Sequence, residues 1–368
     1  MENPFKFGTV VSKPHFFNCK EEIEKVKSVL ESNNHLILIS PRRYGKTSLI
    51  LNVISDYSRP VIYLDMQIIS SITDFAAELL KRIYKLFTFQ KMKSLIKNFR
   101  IIPILNVNPL NGELSVSIQP GKSEILIIED VLNMLDNISK SDSRTICIFD
   151  EFQEIQKIDS KLDRHLRAIM QHHKNINYVF LGSQESMMKA IFEKKKSPFY
   201  HFGYLLNLDK IPYIEFLDYL NSCFELLGSP QFELSKQILE ITDSHPYYTQ
   251  QLAFSVWEML KKGGLNENII ELSINNIISS HDYDYERLWN NFNQTDKKIL
   301  IHLLYNTKSM LEIDTITELG LASSTIFSAL KRMLNNGYII RRINTYEIDD
   351  PFFKQWIINK RKLLKNII

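Results

Sequence analysis

The sequence predicts an α/β fold: a parallel sheet with an inserted β-hairpin, then a helical segment, then a small helix-and-ribbon module. Three observations carry this. Short, continuous apolar runs of strand length alternate with helical periodicity over the first 208 residues, as in right-handed βαβ units. From Pro212 to Arg287 the pattern is helical throughout. From Asp296 onward, three short helical segments precede two short strands.

The elements follow in order. Lys20–Ser32 places Ile23, Val26, Val29 and Leu30 at helical spacing. His35–Ile39 is an apolar strand of the kind buried on both faces of a parallel sheet. A helix is expected from Lys46, with Leu49, Ile50, Val53 and Ile54 on one face. Val61–Asp65 is a second strand, and Ser71–Leu95 reads as one long amphipathic helix. Phe99–Ile118 carries apolar runs on either side of Asn111-Gly112, a hairpin signal. Arg144–Phe149, Tyr178–Leu181 and Tyr204–Leu208 are further strands. Ile299–Leu304, Ile313–Leu319 and Ser323–Asn335 are helices, Gly337 a stop, and Tyr338–Ile343 with Thr345–Ile348 a two-stranded ribbon. Three helices and a ribbon describe a winged helix-turn-helix. The expected domains are 1–208, 209–290 and 291–368.

Composition narrows the function classes. The chain has 368 residues, 44% hydrophobic and 24% charged, with 11 Gly and 12 Pro, which excludes disordered and fibrous classes. No apolar run approaches the ~18 residues that span a bilayer, and the N-terminus MENPFKFG has no secretory pattern. Cys19, Cys147 and Cys223 are isolated, so neither a disulfide framework nor a zinc site is expected, and a reducing, cytoplasmic compartment is. The net charge of +3 does not by itself imply nucleic acid. It is uneven: Phe292–Ile368 holds twelve Lys and Arg against seven Asp and Glu, net +5, leaving −2 for the rest.

The chemistry concentrates at strand ends. Ser40-Pro41-Arg42-Arg43-Tyr44-Gly45-Lys46-Thr47 lies between a buried strand and a helix start, the context of a phosphate-binding loop. Backbone N–H groups and the helix N-terminus favour an anion there, Gly45 admits close phosphate approach, Lys46 is expected to bridge β- and γ-phosphates, and Thr47 to ligate Mg2+. Ser40 stands where the motif has its first glycine, which a negative φ tolerates. These residues and the following Ser48 are the candidate nucleotide contacts. Asp150-Glu151 ends a buried strand: Asp150 is the second candidate metal holder and Glu151 the candidate base for water. Ser183-Gln184 ends another, and Ser183 is the candidate γ-phosphate sensor, with helix capping the alternative. No arginine occurs between Arg167 and Arg287, so a rate-enhancing arginine finger is not expected in the usual place, and turnover is expected to be slow.

The order of these motifs, with Phe149-Asp-Glu-Phe-Gln153, Phe-Leu-Gly-Ser-Gln, His245-Pro246-Tyr247-Tyr248 and a closing Asp350-Pro-Phe-Phe-Lys-Gln-Trp356, resembles the archaeal-type ATPase family. Those are AAA+-related P-loop NTPases of the STAND branch. The resemblance implies ATP and Mg2+ as ligands, a helical lid and a winged helix, with His245 and Pro246 near the nucleotide. It also matches Phe16–Glu22 to an adenine-side motif, with Cys19 where the family usually has arginine.

In the winged helix, Ser323–Asn335 is the expected recognition helix, carrying Lys331 and Arg332, with Arg341 and Arg342 on the wing. Double-stranded DNA and a protein are the two partners expected there, and no membrane. The leading functional expectation is a slow, ATP-hydrolysing switch coupled to the winged helix. The alternatives are a DNA-binding regulator with a structural nucleotide site, and a protein-recruiting module that binds ATP without turnover.

Overall fold

The computed structural model describes residues 2–361 except positions 14, 18, 88, 98, 101–103, 108–113, 118–123, 229–230, 264–265, 306–309, 311 and 342–344. The chain divides into two compact units. A sheet unit comprises Cys19–Arg42 and Lys46–Asp209; a helical unit comprises Met1–Asn18, Arg43–Gly45 and Lys210–Ile368.

The sheet unit runs α1 (Lys20–Glu31), β1 (Leu36–Ile39), α2 (Lys46–Ile54), β2 (Val61–Asp65), α3 (Ile72–Leu86), α4 (Phe89–Ile96), β3 (Ile104–Val107), β4 (Leu114–Ser117), α5 (Glu124–Ile138), β5 (Thr145–Asp150), α6 (Ile155–Ile158), α7 (Leu162–Met170), β6 (Ile176–Gly182), α8 (Glu185–Phe192) and β7 (Tyr204–Asn207). Among the described residues five strands pair in parallel in the order β2-β5-β6-β1-β7, so from β1 the chain crosses to β2 and returns through β5 and β6, with β7 on the other side of β1. β1, β5 and β6 are buried on both faces, which is why they read as unbroken apolar runs. One face, with Ile37, Leu64, Phe149 and Phe180, joins Phe75, Leu79, Leu132 and Leu166 in a single core.

Two expectations change in detail. Ser71–Leu95 is not one helix: Phe87 leaves α3 in extended backbone (φ −122, ψ 148) before α4 begins. The run Leu86-Phe-Thr-Phe is aromatic and β-branched, and such side chains lose rotamer freedom in a helix. β3 and β4 pair antiparallel, with Val107 opposite Leu114, as the inserted hairpin requires; the Asn111-Gly112 turn lies outside the described residues.

The helical unit runs α9 (Tyr213–Glu225), α10 (Phe232–Thr242), α11 (Pro246–Gly263), α12 (Ile269–Ser280), α13 (Asp282–Asn291), α14 (Gln294–Tyr305), α15 (Ile313–Leu319), α16 (Ser323–Asn335), β8 (Ile339–Arg341), β9 (Tyr346–Ile348) and α17 (Pro351–Arg361). One continuous core links Phe216, Leu252, Trp257, Leu300, Ile326 and Trp356. α17 starts where Asp350 caps it: its Oδ1 accepts from Phe352 N at 2.8 Å and Phe353 N at 3.0 Å, with Pro351 in the first helical position. The N-terminal arm belongs to this unit as well. Phe5 is fully buried against Phe224 and Trp257, and Asn3 Nδ2 donates to Phe254 O at 3.1 Å and Glu258 Oε1 at 3.0 Å.

Candidate functional site

In the sheet unit, the ends of β1, β5 and β6 converge on the first turn of α2. Ser40 leaves β1 buried, donates from its backbone N to Gly182 O at 3.2 Å, and is not among the left-handed residues, as its place in the loop requires. Lys46 opens α2 nearly buried, and its ammonium is held by the acidic pair: Nζ donates to Glu151 Oε1 at 2.7 Å and lies 3.7 Å from Asp150 Oδ1. Thr47 Oγ1 donates to Asp150 Oδ2 at 3.1 Å. The same Asp150 oxygen accepts from the Tyr63 phenol, while Oδ1 accepts the backbone N–H of Glu151 at 2.9 Å. Hard oxygen donors of this kind, with no sulfur or imidazole among them, fit Mg2+, which takes few protein ligands beside phosphate and water.

Glu151 sits in left-handed backbone (φ 51), a conformation that costs a non-glycine residue about 1–3 kcal/mol and clusters at functional sites. Its carboxylate is fully engaged. Oε1 takes Lys46, and Oε2 takes Ser183 Oγ at 2.5 Å and the Gln153 side-chain amide. Burial raises this group's pKa, but the Lys46 ammonium and the Ser183 and Gln153 donors outweigh it, so the carboxylate lies below its ordinary range. Gln153 is fully buried, and its Oε1 has no hydrogen-bond partner among the described residues. Gly182 makes room for it: a Cβ there would lie 2.7 Å from Gln153 Oε1 and 2.4 Å from Met188.

The remaining loop residues are described with the helical unit. Arg43 is left-handed (φ 66); its Nη1 donates to Tyr248 Oη at 3.1 Å and its guanidinium lies 4.6 Å from the Tyr247 ring centre. The Tyr44 ring meets His245 edge-on at 4.7 Å, and Gly45 takes φ 89, which favours glycine. His245 is 1% exposed. Its Nδ1 accepts from Tyr247 N at 3.1 Å, capping α11, while Pro246 fills the first helical position. Burial first, then Lys210 and Arg43, lower its pKa to about 3. The ring is therefore neutral, with its proton on Nε2, 3.8 Å from Asp349 Oδ1.

The structure thus gathers Ser40, Lys46, Thr47, Asp150, Glu151 and Ser183 at one end of one sheet, and Arg43, Tyr44, His245 and Pro246 in the other unit. Pro41 and Arg42 flank the loop on the sheet side, and Ser48 is buried in the first turn of α2. Ser183, the expected phosphate sensor, donates to the Glu151 carboxylate. Tyr63 carries no motif and Gln153 only closes the Phe149-Asp-Glu-Phe-Gln153 stretch; the parts of both depend on reach across strands and turns. Arg167 stacks 4.5 Å over Phe202 and donates to Gln171 at 3.0 Å, a packing role.

A parallel sheet whose strand ends bring paired acids to the Lys-Thr start of a helix defines a nucleotide-binding ATPase of the P-loop class. Comparison narrows the class. Residues 16–252 match the model of a family described as an ATPase domain predominantly from Archaea, and the chain belongs to that family. The fold is that of the Walker-type ATPase PABY2304 of Pyrococcus abyssi, with a TM-score of 0.69 at 17% identity, covering 96% of this chain and 99% of that one. Cdc6p from Pyrobaculum aerophilum gives 0.50 at 14% identity over 99% and 98% of the two chains. The Thermotoga maritima RuvB branch-migration motor gives 0.47 at 14% over 97% and 96%. No curated protein matches in sequence. Among the described residues, no helix is long and apolar enough to cross a membrane.

Proposed function

We propose that this ATPase is a slow, Mg2+-dependent switch in which nucleotide turnover in the sheet unit controls a C-terminal winged helix. The observation that carries the reading is the convergence of Lys46 and Thr47 on Glu151 and Asp150. Lys46 holds the phosphates, and Thr47 with Asp150 holds the metal, which when bound neutralises phosphate charge. Glu151 accepts a proton from the attacking water, and Ser183, bonded to Glu151, senses the γ-phosphate. In the sheet unit, Ser40, Pro41, Arg42 and Ser48 line the phosphates. The engagement of Arg167 with Phe202 and Gln171 supports slow turnover, because it leaves that arginine in packing. The proposed domains are 1–208, 209–290 and 291–368, with the arm 1–18 packing in the helical unit.

Lys46→Ala is expected to abolish ATP binding, and Glu151→Gln to retain binding while stopping hydrolysis. Hydrolysis by Glu151→Gln at the parent rate would remove Glu151 from its role.

For the partner, the surface of α16 favours protein over DNA. Phe327 is 57% exposed among Ser324, Ser328 and Lys331, and the Arg332 guanidinium bonds Asp296. A protein contact uses that apolar ring, whereas phosphate contact needs basic groups. An ATPase and DNA-binding assay in parallel separates the readings. A salt-sensitive DNA shift that persists in Lys46→Ala would favour a DNA regulator, and binding of ATP without turnover a recruiting module.

A further inference from the structure

We propose that Tyr63 is a positioning residue for the metal, acting through Asp150 on Thr47. The inference rests on the reading of Thr47 and Asp150 as the metal-holding pair. Among the described residues β2 is an edge strand of the sheet, and its residues alternate: Ile62 and Leu64 are buried, while Val61, Tyr63 and Asp65 are half-buried. The parallel register sets Tyr63 beside Ile148 and Asp65 beside Asp150, so Tyr63 and Asp150 share a sheet face two residues apart. A tyrosine is long enough to span that offset, and its phenol donates to Asp150 Oδ2.

Asp150 is then held by three donors from three places. The Glu151 main-chain N–H takes Oδ1 at 2.9 Å, and the Thr47 and Tyr63 hydroxyls share Oδ2. Because the Thr47 proton is directed at Asp150, that hydroxyl presents its lone pairs elsewhere, the orientation a cation needs. Tyr63 is itself anchored. Its carbonyl accepts from Arg82 Nε at 2.6 Å, and Arg82 Nη1 is fixed on Glu78 O at 2.9 Å and Glu78 Oε2 at 2.6 Å within α3. A phenylalanine would fill the same space without the bond to Asp150.

The test is equilibrium binding of a fluorescent ATP analogue as magnesium is titrated, with no turnover required. Tyr63→Phe is expected to raise the half-saturating magnesium concentration by about tenfold, the scale of losing a partner behind a metal ligand. Binding of the analogue in excess EDTA and the melting temperature should stay near the parent values. In an Asp150→Asn background, Tyr63→Phe should add nothing further, which a purely structural role would not give. If the parent protein depends on magnesium and Tyr63→Phe titrates identically, the tyrosine's role is overturned alone. An equal loss with and without Asp150→Asn overturns it also. If the parent binds the analogue with no magnesium dependence, the Thr47–Asp150 reading falls, and this proposal with it.

Discussion

Gly182 shows how little room the acidic pair leaves. A methyl group there would press on the buried Gln153 amide at 2.7 Å, and Gln153 is one of two donors on Glu151 Oε2. Gly182→Ala is expected to lower hydrolysis by about tenfold, the size of one charge-assisted hydrogen bond lost, with ATP affinity nearly kept. Steady-state kinetics beside a binding isotherm checks it, and an unchanged rate would release Gln153 from that part. Lys46, Thr47, Asp150 and Glu151 were legible in sequence because each directly adjoins a buried strand or a helix start. Tyr63 was not, and Gln153 was visible only as the end of the Phe-Asp-Glu-Phe-Gln stretch without a role, because a side chain's target two residues or one strand away leaves no periodic mark. Ser183 was legible as a polar strand end, but which neighbour it bonds is decided by the left-handed turn at Glu151.

Among the elements, α17 depends most on one cap. Asp350 satisfies two N–H groups of its first turn and accepts the Tyr285 phenol on Oδ2 at 3.1 Å. Asp350→Ala should cost about 1–2 kcal/mol for the cap, and more because it strands the Tyr285 hydroxyl. Urea unfolding measures this, and Asp350→Asn should retain part of it. The Asp-Pro-Phe-Phe stretch was recognisable, but its physical content is this cap followed by two buried rings, Phe352 and Phe353. Helix α5 is harder to see in advance: Ser-Glu-Ile-Leu-Ile-Ile-Glu has a strand-like apolar run, and only packing against α3 and α7 decides for helix. The N-terminal arm is equally silent, since a lone Phe5 has no period to read.

At the scale of the whole molecule, acid weakens each unit through a buried histidine. Burial first, then Arg167 and His173, lowers the pKa of His35 to about 4; in the helical unit His245 falls to about 3. Unfolded histidines take up a proton near pH 6.5, whereas these native ones wait until about 4 and 3. Below about 6.5 the unfolded chain therefore binds more protons, and stability falls with pH, each group approaching ~1.4 kcal/mol per pH unit until its native pKa is reached. Denaturant unfolding at pH 7.5 and 5.5 should show the drop, and His35→Asn should flatten the portion due to the sheet unit. Equal slopes in parent and variant would assign the acid sensitivity to other groups.

The Lys46–Glu151 contact at 2.7 Å has a consequence for a common experimental trap. On the proposed reading, glutamine at position 151 stops proton abstraction, and it also strips the ammonium of the nearer of its two internal counter-ions, leaving Asp150 at 3.7 Å. The variant chosen to freeze the reaction should therefore grip ATP more tightly than the parent does. Its affinity gain, compared with that of a Ser183→Ala chain in which the charge pair is intact, would weigh what a polyphosphate must overcome to win the lysine.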